Sequence, residues 1–401
     1  MFRPILSAMS RNKTGATLVA MQIAIALAVI VNALFIVQQR NALIQRDTGM
    51  AVDEIIAVRS FGFAENYDQQ GAVDDDLLML RNMPGVVSAD YSRSIPLSGS
   101  GSATSFRPDT SEDSESAQAN YYFTTPDIVQ TLGIELAAGR SFRPDEMIRV
   151  TDPDNPDYPK VAIATRAFLA DLFPDATEYV GKTFYSGQNG VEVVGVIEQM
   201  HGSWVTWDEL NNVVLMPLID AGPVSGYLIR TEQGAAERLL PEVEEALGAS
   251  NRTRLINFAQ TMKDIADRSY SRDRGMIVAL SIVIALLVIV TALGIVGLAA
   301  FNVRARTKQI GTRRAVGATR GDILQYFFAE NWLLTTGGIV VGVVLTYVLN
   351  YYLATLYSLS RLDNLYVPVG IFIMWGLGFL AVLGPARRAS LISPAVATRT
   401  V

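Results

Sequence analysis

Few residues in this 401-residue chain could carry covalent or metal chemistry. It has one histidine, His201, and no cysteine. That composition excludes thiolate nucleophiles, disulfides, thiolate metal sites and two-histidine metal helices. Any serine-histidine-acid relay would have to use His201. His201 lies near Trp204 and Trp207 in a segment containing Gly202 and Ser203. We read it as a histidine of an exposed loop or lobe surface, with the tryptophans in either a partner contact or a packed core. The run Asp152–Asp157 (DPDNPD) has calcium-like acid spacing, but it lacks the glycine of loop position six. Ile163 also stands where a bidentate acid belongs. No G-x-x-x-x-G-K-[ST] stretch occurs, so these residues offer no P-loop for ATP. No catalytic, cofactor-binding or metal-ligating residue is assigned.

The stretch Phe301–Glu330 is more informative. It lies between two apolar runs and holds six basic residues: Arg304, Arg306, Lys308, Arg313, Arg314 and Arg320. Its only acids are Asp322 and, at the edge of the next apolar run, Glu330. A short basic loop joining two membrane spans belongs on the cytoplasmic side. The whole chain agrees with that assignment. Net charge is -6, but residues 39–274 hold 20 basic against 36 acidic side chains. Segments 1–16, 302–322 and 385–401 together hold 12 basic residues and one acid. This asymmetry is a topology signal and gives no basic surface for nucleic acid.

The elements that position the loop follow from hydropathy. Half of the residues are apolar and only 18% are charged, which suits a membrane anchor with a large water-exposed domain. Residues 1–16 are expected to form a cytoplasmic or interfacial helix. Residues 17–38 are expected to form span one: its core, Thr17–Val37, would rise about 32 Å as a helix. A cleaved signal peptide is the competing reading, but no small-residue cleavage site follows it. Gln22 and Asn32 fall on positions that could face other helices.

Residues 39–261 are expected to be an α+β domain outside the cytosol. Its first lobe takes about 50–95 and 225–260, and an inserted lobe takes about 96–224. Within the latter, Gly99–Gln118 is expected to be a solvated acidic loop. Residues 262–274 are charged and helical and run without a breaker into span two (275–300), so a continuous stalk helix is expected. The basic loop (301–330), span three (331–357), an outer loop (358–365), span four (366–384) and a tail (385–401) complete the chain. Ionisable groups are sparse in the spans, which argues against a channel or proton pump. Gly294, Gly297, Gly338 and Gly342 permit close helix approach, either within the chain or at a dimer seam.

The run Ala305–Ala318 (ARTKQIGTRRAVGA), continued by Asp322-Ile323-Leu324 and Phe328-Ala329-Glu330, resembles the cytoplasmic loop of MacB/FtsX-like permeases of ABC transporters. The tail Pro385-Ala386-Arg387-Arg388-Ala389 with Pro394-Ala395 is similar to that family's C-terminal signature. Leu132-Gly133-Ile134, Gly139-Arg140-Ser141-Phe142 and Val193–Ile197 are similar to its extracytoplasmic domain. Gln309 and Thr398 depart from the family pattern.

The resemblance implies a type VII, mechanotransmission-class permease without catalysis of its own. Its fold would be four transmembrane helices with a two-lobed α+β extracytoplasmic domain between the first two. It implies a coupling helix centred on Ile310–Leu324, with Ile310, Gly311, Arg313, Arg314, Ala315, Gly317, Ala318 and Ile323 meeting an ATP-binding subunit that carries ATP and magnesium. It further implies a second permease chain, identical or not, a periplasmic adaptor and an outer-membrane channel. The setting would be a bacterial inner membrane with both termini cytoplasmic. Lipoprotein release, control of a cell-wall hydrolase, and a non-transporting sensor are the alternatives.

Overall fold

The computed structural model describes residues 13–65, 67–150, 157–220, 222–357 and 361–393. The expected N-terminal interfacial helix lies largely outside these residues. So do most of the Asp152–Asp157 run and the tail beyond residue 393 with Pro394, Thr398 and Arg399. Two compact units emerge: residues 46–271, and residues 1–45 together with 272–401.

The helical unit begins with α1 (Lys13–Ile44). The larger unit follows: β1 (Ile55–Gly62), α2 (Gln69–Arg81), β2 (Val86–Tyr91), β3 (Ser102–Phe106), β4 (Ala117–Thr124), α3 (Ile128–Leu132), β5 (Leu136–Gly139), β6 (Ile148–Arg149), β7 (Val161–Thr165), α4 (Arg166–Leu172), β8 (Thr183–Ser186), β9 (Asn189–Ile197), β10 (Val213–Ile219), β11 (Val224–Thr231), α5 (Ala236–Ser250), β12 (Arg254–Thr261) and α6 (Met262–Ser269). The chain then returns to helices: α7 (Ser271–Ala305), α8 (Thr307–Ala315), α9 (Arg320–Tyr357) and α10 (Tyr366–Ser390).

Among the described residues, four helices are long and apolar enough to cross a membrane: α1, α7, α9 and α10. The first of them is the hub. Ile23, Leu27, Ile30 and Val31 of α1 are fully buried against α9 and α10. Small residues allow that approach. A Cβ on Gly338 would stand 2.8 Å from the Ala20 carbonyl oxygen, and one on Gly342 2.9 Å from Leu27. Polar side chains then lock the register, because a buried amide needs partners. The Asn32 amide donates to the Thr346 carbonyl at 3.1 Å, and the Asn350 amide donates to Asn32 Oδ1 at 3.3 Å. Gln22 donates to the Val290 carbonyl at 2.9 Å beside Gly294, and Arg40 Nη1 pairs with Asp273 Oδ1 at 3.0 Å, so α7 is fastened to α1 at two levels. Three of the four glycines therefore pack within the chain, whereas Gly297 faces open space.

The larger unit is two-lobed. One sheet has the order β12-β1-β11-β2 and draws on residues 55–91 and 224–261. The second runs β3-β4-β10-β7-β9-β5, with β6 on β10 and β8 on β9, and draws on residues 102–219. Period-two alternation explains why β1 is buried on both faces. Ile56 and Val58 meet Leu77 of α2 and Leu239 and Val243 of α5. Ile55 and Ala57 join the cluster of Leu132, Met262 and Ile265. Asp76 of α2 ties this lobe together. It accepts from Arg254 Nη2 at 2.7 Å and from the Tyr227 hydroxyl at 2.6 Å, deep in the core.

Four expectations are corrected. The stalk is not continuous: α6 ends at Ser269, and Tyr270 leaves helical geometry (φ -93°, ψ 6°) before α7 begins. Tyr270 is buried, and the Ser271 hydroxyl donates to the Arg268 carbonyl at 2.6 Å, so the break is built from side chains with no glycine or proline. The helices also overrun the expected spans. α9 starts at Arg320 and α10 reaches Ser390, past Pro385. The acidic loop 99–118 contains β3, which forms because β4 supplies its hydrogen-bond ladder. Finally, His201 is not on the surface.

His201 is fully buried. Its backbone amide donates to the Thr48 carbonyl at 3.0 Å, while neither ring nitrogen has a partner. Trp204 and Trp207 stand edge to face at 5.7 Å and are half-buried. Burial, helped by the Arg46 guanidinium and opposed by Asp47, pushes the imidazole from its ordinary 6.5 down to about 4. A folded-state value below the unfolded one means the neutral ring stabilises the fold above about pH 6.5, and that contribution fades as pH falls toward 4. The melting temperature of the wild-type chain should therefore drop more between pH 7 and pH 4.5 than that of His201→Gln, measured by thermal unfolding in detergent. Equal drops would contradict this environment for the ring.

Candidate functional site

The loop after α7 is a short helix pinned on three sides. At Arg306 the backbone leaves α7 (φ -112°, ψ 11°), and α8 starts one residue later. Ile310 and Gly311 face inward, and Ile310 joins the apolar cluster of Ile323, Phe327, Ala386 and Ala389. Arg306 Nη1 donates to Glu330 Oε2 at 2.9 Å and to the Tyr326 hydroxyl at 3.2 Å. Both charged side chains are largely shielded, with 16% and 9% of their surface exposed. The Arg313 guanidinium stacks on the Tyr326 ring, 4.9 Å from its centre. Arg314 Nη1 donates to the Ser390 carbonyl at 3.0 Å, tying α8 to the end of α10.

The exit from α8 is equally fixed. Gly317 adopts φ +107°, which only glycine does without strain. Ala318 N–H donates to the Arg313 carbonyl at 3.0 Å and Gly317 N–H to the Arg314 carbonyl at 3.3 Å, the paired bonds of a Schellman C-cap. Thr319 then caps α9: its hydroxyl accepts from the Asp322 amide at 3.2 Å, and Asp322 Oδ2 accepts from the Thr319 amide at 2.8 Å. Between the two caps stands Val316, 84% exposed. Lys308, Gln309, Thr312, Arg313, Ala315 and Gly317 are exposed around it. The result is a rigid basic rim around an apolar tip.

The predicted site residues separate into three groups. Ile310, Gly311 and Ile323 face the bundle. Arg313 and Arg314 brace the helix. Ala315 and Gly317 are exposed, and Ala318 is half-buried. The coupling helix is shorter than expected, ending at Ala315, and Leu324 belongs to α9. Sequence reasoning missed Val316, Tyr326 and the Arg306–Glu330 pair. The signal for Val316 was an apolar residue beside a glycine in a basic loop. Among the described residues, no cluster of His, Asp and Glu has metal-binding geometry.

The buried pair makes a direct prediction. Arg306→Met strands the Glu330 carboxylate and should cost about 3 kcal/mol of stability, whereas Arg306→Met with Glu330→Met should recover most of it. Thermal unfolding in detergent reads both. A double variant no better than the single would show that the pair does not pin α8.

Comparison with known proteins places this geometry in a family. The FtsX-like permease C-terminal signature matches residues 281–394. The MacB-like periplasmic core domain signature matches residues 14–246, more than half of the chain. The macrolide export ATP-binding/permease protein MacB of Chromobacterium violaceum is 24% identical over 408 residues, covering 98% of this chain and 59% of that protein. The MacB protein of Shigella boydii is 22% identical over 411 residues, covering 96% and 58%. The probable syringafactin export protein SyfD of Pseudomonas syringae pv. tomato is 24% identical, covering 66% and 40%. The chain thus spans about six-tenths of the length of the two MacB relatives. The periplasmic region of MacB from Actinobacillus actinomycetemcomitans aligns with a TM-score of 0.35 at 14% identity, over 57% of this chain and 97% of that one. With both signatures matched, one over each part of the molecule, the chain belongs to the MacB/FtsX-like permeases of ABC transporters.

Proposed function

We propose that this chain is the permease part of an exporter powered by an ATP-binding subunit carried on another chain. ATP and magnesium bind on that subunit, which docks on the inner loop. The observation that carries this reading is the exposed Val316 tip held between two caps. A docking knob must be rigid, or its displacement is absorbed locally. Arg306, Arg313 and Arg314 supply that rigidity from three directions.

Motion entering at α8 has a defined way out. It passes into α9 through Arg306–Glu330 and into α7 through the single residue between the two helices. Little of the apolar length of α7 is buried within the chain, so we take it as the span that moves. It ends at Ser271, one residue from α6 of the outer domain. Helices transmit axial displacement well, and the Tyr270 break offers a joint. The outer lobes then change conformation, act with a second permease chain and a periplasmic adaptor, and drive efflux through an outer-membrane channel. The charge asymmetry supports an inner-membrane setting with both termini cytoplasmic.

Val316→Asp places a charge at the centre of the docking surface without touching any internal contact. It should lower co-purification of the ATP-binding chain by roughly tenfold or more, as expected for a buried interface anchor, while leaving membrane insertion unchanged. Undiminished co-purification would count against this docking site.

A further inference from the structure

Beside the loop after α7, α7 and α10 flank an open groove of about 580 Å³. Its floor is apolar, with Val296 and Ala300 from α7 and Leu380 and Gly384 from α10. Its end is basic, with Arg304 and Arg388. The order along each helix is the telling feature. Val296, Ala300 and Arg304 follow at four-residue steps on one face of α7. Leu380, Gly384 and Arg388 do the same on α10. Each row runs about 12 Å from apolar floor to arginine, and in the same chain direction.

Neither arginine is neutralised. Both are exposed, and neither side chain has a hydrogen-bond or ion-pair partner among the described residues. The acids nearby in sequence are already engaged: Glu330 with Arg306 at 2.9 Å, and Asp322 with the Thr319 hydroxyl at 2.7 Å. An apolar trough between two candidate membrane spans, ended by two guanidiniums without a partner among the described residues, fits an amphiphile with an anionic head. We propose that this groove binds an anionic phospholipid, its acyl chain on the α7–α10 floor and its phosphate between Arg304 and Arg388. The bound lipid would then bridge α7 to α10, about one turn from α8. Placing it in the cytoplasmic leaflet rests on the topology proposed above, whereas the binding chemistry does not.

The test uses the full chain stripped of lipid in detergent, read by native mass spectrometry. Dioleoyl phosphatidylglycerol should be retained at least about tenfold better than dioleoyl phosphatidylcholine. Arg304→Gln with Arg388→Gln should abolish that preference. Gly384→Leu fills the floor, where a Cβ meets open space, so it should lower retention of the anionic lipid without disturbing the fold. Equal retention of the two lipids, or a preference that survives in the double arginine variant, would overturn the proposal. Displacement by millimolar inorganic phosphate would also overturn it by reducing the site to a simple anion contact. A result placing the loop outside the cytosol would refute the topology and leave the lipid result standing.

Discussion

The loop between α7 and α9 depends on one largely shielded ion pair. Glu330 lies about three turns into α9 and is largely shielded, so an unpaired carboxylate there would be costly, and Arg306 is the cation paired with it. The constraint works in both directions. Because Glu330 is fixed in a long helix, Arg306 is fixed at the corner between α7 and α8. α8 therefore leaves the bundle in one direction only. Tyr326 reinforces the corner by accepting from Arg306 at its hydroxyl and carrying Arg313 on its ring. Ile310 then closes the underside with apolar contacts. What remains outside is a short, doubly capped protrusion with Val316 at its apex. The same pairs that hold the helix leave Arg304 and Arg388 without partners among the described residues, free to meet the membrane.

The rest of the helical unit is unevenly held. α1 is buried by α9 and α10 through glycine contacts and the Asn32–Asn350–Thr346 network. α7 meets that core through Gln22 and Gly294, through the Arg40–Asp273 pair at 3.0 Å and through buried Ile295 and Val303, while about half of its apolar residues stay exposed. α7 is thus the least covered of the four candidate spans among the described residues. In the larger unit, the buried Asp76–Arg254–Tyr227 cluster and the double-sided burial of β1 make the first lobe stiff. A stiff lobe can be moved as a body.

Much of this was legible in the sequence because the signals were long or local. Four apolar runs and two interrupted β-α-β patterns announce the candidate spans and the two-lobed insertion. The stop at Gly317 was missed: the expected helix ran on to Leu324, although a glycine after a basic helical turn is a C-cap signal. The break at Tyr270 was hidden because no glycine or proline marks it. His201 was placed on the surface because its neighbours Gly202 and Ser203 read as loop, whereas the chain folds them into the core. β3 was read as loop because Ser, Ala and Thr carry little apolar signal and the strand exists only by pairing with β4. Glu330 could be seen near a span end, but its partner is 24 residues away, and no periodicity reports that contact.

The central claim is that the Val316 tip faces the cytosol and is covered by an ATP-binding subunit. The chain has no native cysteine, so one placed there reports alone. Labelling Val316→Cys with a membrane-impermeant maleimide in inside-out and right-side-out vesicles, with and without the ATP-binding subunit, tests both halves at once. The account predicts labelling only in inside-out vesicles, and protection when the subunit is present. Labelling of right-side-out vesicles, or undiminished labelling beside a saturating subunit, would contradict it.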